Sequence, residues 1–160
     1  MAMTAKIDGM EEISEMLTRL EEDAPKAAAA GLYDGAGVMA KEIEKGVNGI
    51  KTAPFKYASR GAMRAPSPEE QEALRGAIGV AKFDKNGTEV NTSVGFGNAG
   101  YADVAGKQRP VALIANAINS GTSFMQKQPF FRKSASAGAK AAETAIIKAI
   151  EPLLDEKNLK

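Results

Sequence analysis

The stretch INSGTSFMQKQPFFRKSA, Ile118 to Ala135, joins a helix stop to a helix start. Ser120-Gly121-Thr122 offers the glycine that relieves a helix C-terminus, and Gln128-Pro129 offers a proline whose fixed φ suits a first helical turn. Two helices therefore flank a short loop. The first opens at Pro110 and turns Leu113, Ile114, Ala117 and Ile118 to one side. The second carries Phe131, Ala135, Ala142, Ala145, Ile146, Ala149, Ile150 and Leu153 as its stripe, with Phe130 or Phe131 anchoring its start. Pro152 is expected to kink or end it, and residues 155–160 to fray.

Toward the N-terminus, Thr4 to Asp8 reads as a short strand and Gly9 as its end. Met10, Ile13, Leu17 and Leu20 then recur at helical spacing over residues 10–23. Asp23-Ala24-Pro25 reads as a cap followed by a first-turn proline, restarting a helix to about Val47 with Leu32, Ala36, Met39, Ile43 and Val47 buried. Ala27 to Ala30, Gly31, Gly35 and Gly37 make that helix slim. An interior glycine costs about 1 kcal/mol, which close approach of another backbone would offset.

After Asn48-Gly49, residues 51–72 lose periodicity and hold Pro54, Gly61, Pro66 and Pro68, a flexible loop. Lys51, Lys56, Arg60 and Arg64 interleave there with Phe55 and Tyr57, a pattern that can meet a phosphate backbone. Glu69, Glu70 and Glu72 beside Pro68 have the look of a short helix's first turn. From Gly76 the period becomes two: Ile78 and Val80 on one strand, Asp84-Lys85-Asn86-Gly87 as turn, and Val90, Thr92, Val94 and Phe96 on the return. Gly76, Ala77, Gly79 and Ala81 predict a face on which a helix lies closely. Together these signals predict a single α+β domain over residues 1–160, with N-terminal helices and a long C-terminal helix packed on a small, mainly antiparallel β-sheet.

Composition narrows the chemistry. The chain has no cysteine and no histidine, so thiolate sites, disulfides, imidazole bases and a Ser-His-Asp triad are all excluded. Serines are plentiful, Ser134 and Ser136 among them, yet no nucleophile motif surrounds any of them. Gly95-Phe96-Gly97-Asn98-Ala99-Gly100 spells G-x-G-x-x-G, but that fingerprint needs a helix to open at once, and Tyr101 to Pro110 contains Gly106 and Pro110. No catalytic, cofactor-binding or metal-binding residue is assigned, and no enzyme activity is expected. The N-terminus lacks a signal-peptide run and no stretch reaches the ~20 apolar residues of a membrane helix, so a cytosolic start is expected. The net charge of +1 is unevenly spread: residues 1–50 hold ten acids and five bases, residues 90–142 six bases and one acid, Asp103. That polarity suits copies docking head to tail.

The order of signals resembles the small tail-completion, or head-to-tail joining, proteins of bacteriophages with long non-contractile tails. Lys6-Ile7-Asp8-Gly9-Met10-Glu11-Glu12 is similar to the family's opening, and Leu74-Arg75-Gly76-Ala77-Ile78 to its entry into the first long strand. Val94-Gly95-Phe96-Gly97 followed by Tyr101-Ala102 is similar to its strand end and tyrosine turn. The most specific likeness is Gly121-Thr122, a spacer, then Gln128-Pro129-Phe130-Phe131-Arg132, where the family shows Gly-Thr and a Pro-Phe-aliphatic-Arg helix start. Just before Gly-Thr the family often has an acid and an aromatic, where this chain has Asn119 and Ser120.

What the resemblance implies is a structural virion protein of the neck or tail top. It would form a homo-oligomeric ring, by the family's habit a hexamer, that completes or terminates the tail and joins it to the head. Its partners would be copies of itself, other neck and tail proteins and, weakly, DNA in the channel through Lys51, Lys56, Arg60 and Arg64. The 51–72 loop and the 121–128 segment are expected to form contacts. A head-closure, adaptor or tail-tube role in the same particle is the alternative, and a DNA-binding module is a further one.

Overall fold

A computed structural model describes residues 10–86, 89–96 and 100–158, with side chains described at 23–84, 92–96 and 100–152. The expected strand at Thr4 to Asp8 lies outside the described residues, as do the side chains of Met10, Ile13, Leu17, Leu20 and Leu153. Helix α1 spans Met10–Asn48 without a break and contains Pro25, so the two expected N-terminal helices are one. A proline forfeits one backbone hydrogen bond and crowds the preceding turn, a local cost of about 3 kcal/mol. Helix on both sides, and a partner helix along much of its length, offset that cost.

The partner is α4, Phe130–Asn158. The two run antiparallel, because Gly31 meets Ile150, Gly35 meets Ile146, Gly138 meets Met39 and Glu42, and Gly46 meets Ser134. The glycines are what allow the approach. A Cβ on Gly31 would lie 3.2 Å from the Ile146 carbonyl oxygen, and one on Gly35 3.3 Å from that of Ala142. The expected slim face is therefore real at Gly31 and Gly35, whereas Gly37 faces open space. Gly46 is tighter still, with Ser134 Oγ 2.0 Å from a notional Cβ. On α4 the buried positions are Phe130, Ser134, Gly138 and Ala142; Ala142 is as expected, and Ile146 and Ile150 reach Gly35 and Gly31, whereas in the first turns burial falls one residue before the expected Phe131 and Ala135. The helix also continues through Pro152 to Asn158, so Pro152, expected to kink or end it, does not end it.

Between the long helices, α2 covers Pro68–Arg75 and α3 covers Val111–Ser120. The irregular segment after α1 thus ends at Ser67, and residues 68–72 are helical. The Ser67 hydroxyl accepts from the Glu70 amide and the Glu70 carboxylate accepts from the Ser67 amide, a complete capping box. On α3 the buried face is Val111, Ile114, Ala115 and Ile118, and Leu113 is exposed. Among the described residues, six short strands form three antiparallel two-stranded ladders: β1 (Gly79–Val80) with β4 (Val94–Gly95), β2 (Asp84–Asn86) with β3 (Glu89–Asn91), and β5 (Tyr101–Val104) with β6 (Lys107–Pro110).

The first two ladders are the expected hairpin, interrupted. Gly79 pairs Gly95 and Val80 pairs Val94, but Asp84 pairs Asn91, so Lys82 and Phe83 stand opposite Thr92 alone. That is a β-bulge, and it splits the ladder and bends the ribbon. Asp84-Lys85-Asn86, expected as turn, consequently belongs to strand β2. At Gly79 itself there is room to spare, since a Cβ there would meet only the Gly95 carbonyl at 4.0 Å, whereas one on its partner Gly95 would touch the Phe131 ring of α4 at 3.8 Å. The β5–β6 hairpin was not anticipated. Ala105 and Gly106 both adopt positive φ, 53° and 75°, in a tight two-residue turn, and Asp103 Oδ1 accepts the Gly106 amide at 2.9 Å.

Two-stranded ladders are marginal alone. What holds them is a core formed by Ile43, Val47, Ile50, Leu74, Phe96, Val104, Val111, Ile114, Ile118, Met125 and Phe130. Each large side chain buried there contributes about 1.5–3 kcal/mol. This core gathers around the last turns of α1 and the first turn of α4, the end of the molecule where the 118–135 junction lies.

Candidate functional site: the clasped junction and its basic loop

The junction is closed by hydrogen bonds from three directions. Gly121, at φ 77° and ψ 160°, ends α3, and its amide donates to the Ala117 carbonyl at 2.9 Å. The Thr122 hydroxyl accepts from the amides of Phe124 and Met125, and the Thr122 amide donates to the Met125 carbonyl. The loop therefore curls around Thr122 and drives Met125, 1% exposed, into the core. The Gln128 amide then returns to the Ile118 carbonyl at 2.7 Å, and Asn119 Oδ1 accepts the amide of Phe131 at 3.1 Å. The end of α3 thus caps the start of α4.

Pro129 precedes α4, and Phe130 and Phe131 form a ring cluster with Phe96, with centroids 6.0 and 6.1 Å from it. This cluster fastens the end of β4 to the last helix. Arg132 is exposed and makes no ion pair among the described residues. Within 121–128, Ser123, Phe124, Gln126 and Lys127 are exposed and available for contact, whereas Met125 is consumed by the core.

The loop after α1 is fastened to the same junction. The Gln128 carboxamide accepts from the Lys51 amide and donates to the Lys51 carbonyl, both at 2.8 Å. Ala53 bonds the Pro66 carbonyl at 2.9 Å, closing the loop on itself. The Arg64 amide donates to Phe124 and the Arg64 carbonyl accepts from Gln126, a parallel bridge beside Met125. Residues 54–63 are left as an exposed arch. Gln71 supports its foot, its Nε2 donating to the carbonyls of Val47 and Ile50, the former at 2.8 Å.

These contacts separate the four expected loop bases. The side chains of Lys51, Lys56 and Arg60 are exposed. Arg64 is a structural cation: its guanidinium grips the Glu70 carboxylate at 2.7 and 2.6 Å, with the two side chains 8% and 1% exposed. It cannot serve as a phosphate contact, because leaving would strand Glu70. Two bases that the sequence reading left out adjoin the arch, Lys107 and Arg109 on β6. Glu69, beside the capping box, has its carboxyl held below the ordinary value by the Ser67 hydroxyl and then by its own backbone amide.

Chemically, the site clasps and presents charge. Among the described residues no group of three or more acids could hold a metal ion, and none of their helices is long and apolar enough to cross a membrane. The buried Ser134 hydroxyl donates to the Phe130 carbonyl at 2.8 Å. The G-x-G-x-x-G letters are followed by strand β5, so the helix N-terminus that would hold a pyrophosphate is not there. No family model, curated protein or solved structure matches this chain.

Proposed function

We propose that this chain is a structural protein of a long-tailed bacteriophage, made in the host cytoplasm and built into the neck or tail top. There it forms a ring of identical subunits, six by the family's habit, that completes the tail and joins it to the head. No enzymatic step and no cofactor belong to this role.

The observation that carries the reading is at Asn119. The resembled family often places an acid there, and in this chain the Asn119 side-chain oxygen accepts the Phe131 amide in the first turn of α4. A carboxylate would accept the same hydrogen bond and meet the same helix dipole. The departure in letters therefore keeps the physical role, and the Gly-Thr and Pro-Phe elements that follow it belong to one hydrogen-bonded unit. The exposed arch and Phe124 supply contact surface beside it.

Solution mass measurement and electron imaging of the purified protein, with antibody labelling of particles, test the proposal. Closed rings, or label at the head–tail boundary, are expected. A strict monomer that is also absent from purified particles overturns it.

A further inference from the structure

The arch after α1 and the β5–β6 hairpin are remote in sequence, yet an aromatic pair holds them together. The rings of Phe55 and Tyr57 meet edge to face at 5.2 Å. The Arg109 guanidinium lies 5.8 Å from the centre of the Phe55 ring, and Lys107 Nζ lies 5.8 Å from that of Tyr57. Arg64 also lies over Phe55, at 4.7 Å, but Glu70 matches its charge. Lys51, Lys56, Arg60, Lys107 and Arg109 form no salt bridge among the described residues. Residues 51–67 contain no acid, and residues 101–110 contain only Asp103, which is turned to the Gly106 amide.

Five unmatched cations against one acid repel one another, and cation–π contacts offset only part of that. Such a surface is completed by an anionic partner. We propose that the arch and the β5–β6 hairpin form one composite surface that grips the phosphate backbone of double-stranded DNA without reading its sequence. Lys56, Arg60, Lys107 and Arg109 are the phosphate contacts. Phe55 and Tyr57 are the strut that sets the two basic elements side by side.

Protein interfaces centre on an apolar patch and are poor in lysine, whereas this surface is rich in exposed lysine and arginine and its two rings are flanked by cations. Phe55 is taken up by Tyr57, Arg64 and Arg109, which leaves Tyr57, 67% exposed, as one open ring, whereas a single strand is held on a succession of stacking faces. The inference rests on the arch–hairpin contact and stands or falls separately from the ring: imaging tests one, binding the other.

The experiment is fluorescence anisotropy of the full chain with a labelled duplex of about 30 base pairs, from about 20 to 200 mM salt. Four phosphate contacts give a log–log salt slope of roughly −3 to −4. Lys107→Gln with Arg109→Gln should reduce the slope by about two and weaken binding at least about tenfold at the lowest salt. Tyr57→Ala, which keeps every charge, should also weaken it, whereas Lys26→Gln with Lys41→Gln on α1 should not. Circular dichroism checks that each variant is folded. The proposal is overturned by no binding at the lowest salt, by equal loss in the α1 control, or by an unaffected Lys107/Arg109 variant. A change in the protein's own solution mass on Lys107/Arg109 replacement, without duplex binding, would assign the surface to an acidic protein instead.

Discussion

Replacing Arg64 with methionine would strand the Glu70 carboxylate where water scarcely reaches, at 1% exposure. Two contacts at 2.7 and 2.6 Å are lost, and of the carboxylate's partners only the Ser67 amide at 2.8 Å remains. Breaking one side of a buried pair costs about 3–5 kcal/mol, against about 0–1 kcal/mol for an exposed one. With a urea m-value of about 1–3 kcal/mol per molar, the unfolding midpoint should fall by more than about 1 M. Replacing both partners, Arg64→Met with Glu70→Leu, removes the stranded charge but still loses the capping-box acceptor, worth about 1 kcal/mol. The double variant should therefore lie between wild type and the single variant. Equilibrium urea unfolding followed by circular dichroism measures all three. An Arg64→Met variant within about 1 kcal/mol of wild type would refute the reasoning, because Arg64 would then behave as a surface cation.

The helix glycines should respond in opposite directions. Gly46→Ala, whose methyl would lie 2.0 Å from Ser134 Oγ, should destabilise by about 1–3 kcal/mol, whereas Gly37→Ala, which meets nothing within 4 Å, should stabilise by about 0.5–1 kcal/mol in thermal unfolding. Gly121→Ala combines φ 77° with a contact of 2.8 Å to the Lys127 Cβ and should cost at least about 1–3 kcal/mol by the same measurement. For Glu69, a carboxyl held below its ordinary 4.5 contributes stability that is present above 4.5 and lost as pH falls through the lower folded value. Glu69→Gln should flatten that part of the acid limb of melting temperature against pH, and an unchanged limb would show that the Ser67 contact does not hold in solution.

The sequence displays what depends on local rules and conceals what depends on distant partners. Gly121 and Pro129 mark the junction because a left-handed backbone and a fixed φ are properties of single residues. The α2 capping box is likewise written in four consecutive letters, Ser67 to Glu70. Pro25 misleads, since its cost is local, whereas the helix that carries it is held farther along by α4, about a hundred residues on. Arg64 looks like one more loop cation because Glu70 becomes its partner only when the arch folds back. The β5–β6 hairpin is hidden for another reason: Ala105 takes a left-handed conformation that Asn or Asp would have advertised. Gln71, whose Nε2 reaches the carbonyls of Val47 and Asn48 at the end of α1 and of Ile50 beyond it, carries no signal at all in a charged helix.

The pairing of α1 with α4 also fixes an order of events during synthesis. Asn48 ends one helix and Phe130 begins its partner, a separation of about eighty residues that takes roughly 4–16 s to translate at 5–20 residues per second. Through that interval the Ile43, Val47 and Gly31–Gly35 face leaves the ribosome with nothing to cover it. The β5–β6 hairpin and α3, which pack on each other and on α2, can form while the chain is still growing, but the clasp at Lys51 must wait for Gln128, 77 residues later. Folding of this chain is therefore expected to finish at its C-terminus, and a copy truncated before α4 should be held by chaperones or aggregate rather than accumulate as a smaller folded protein.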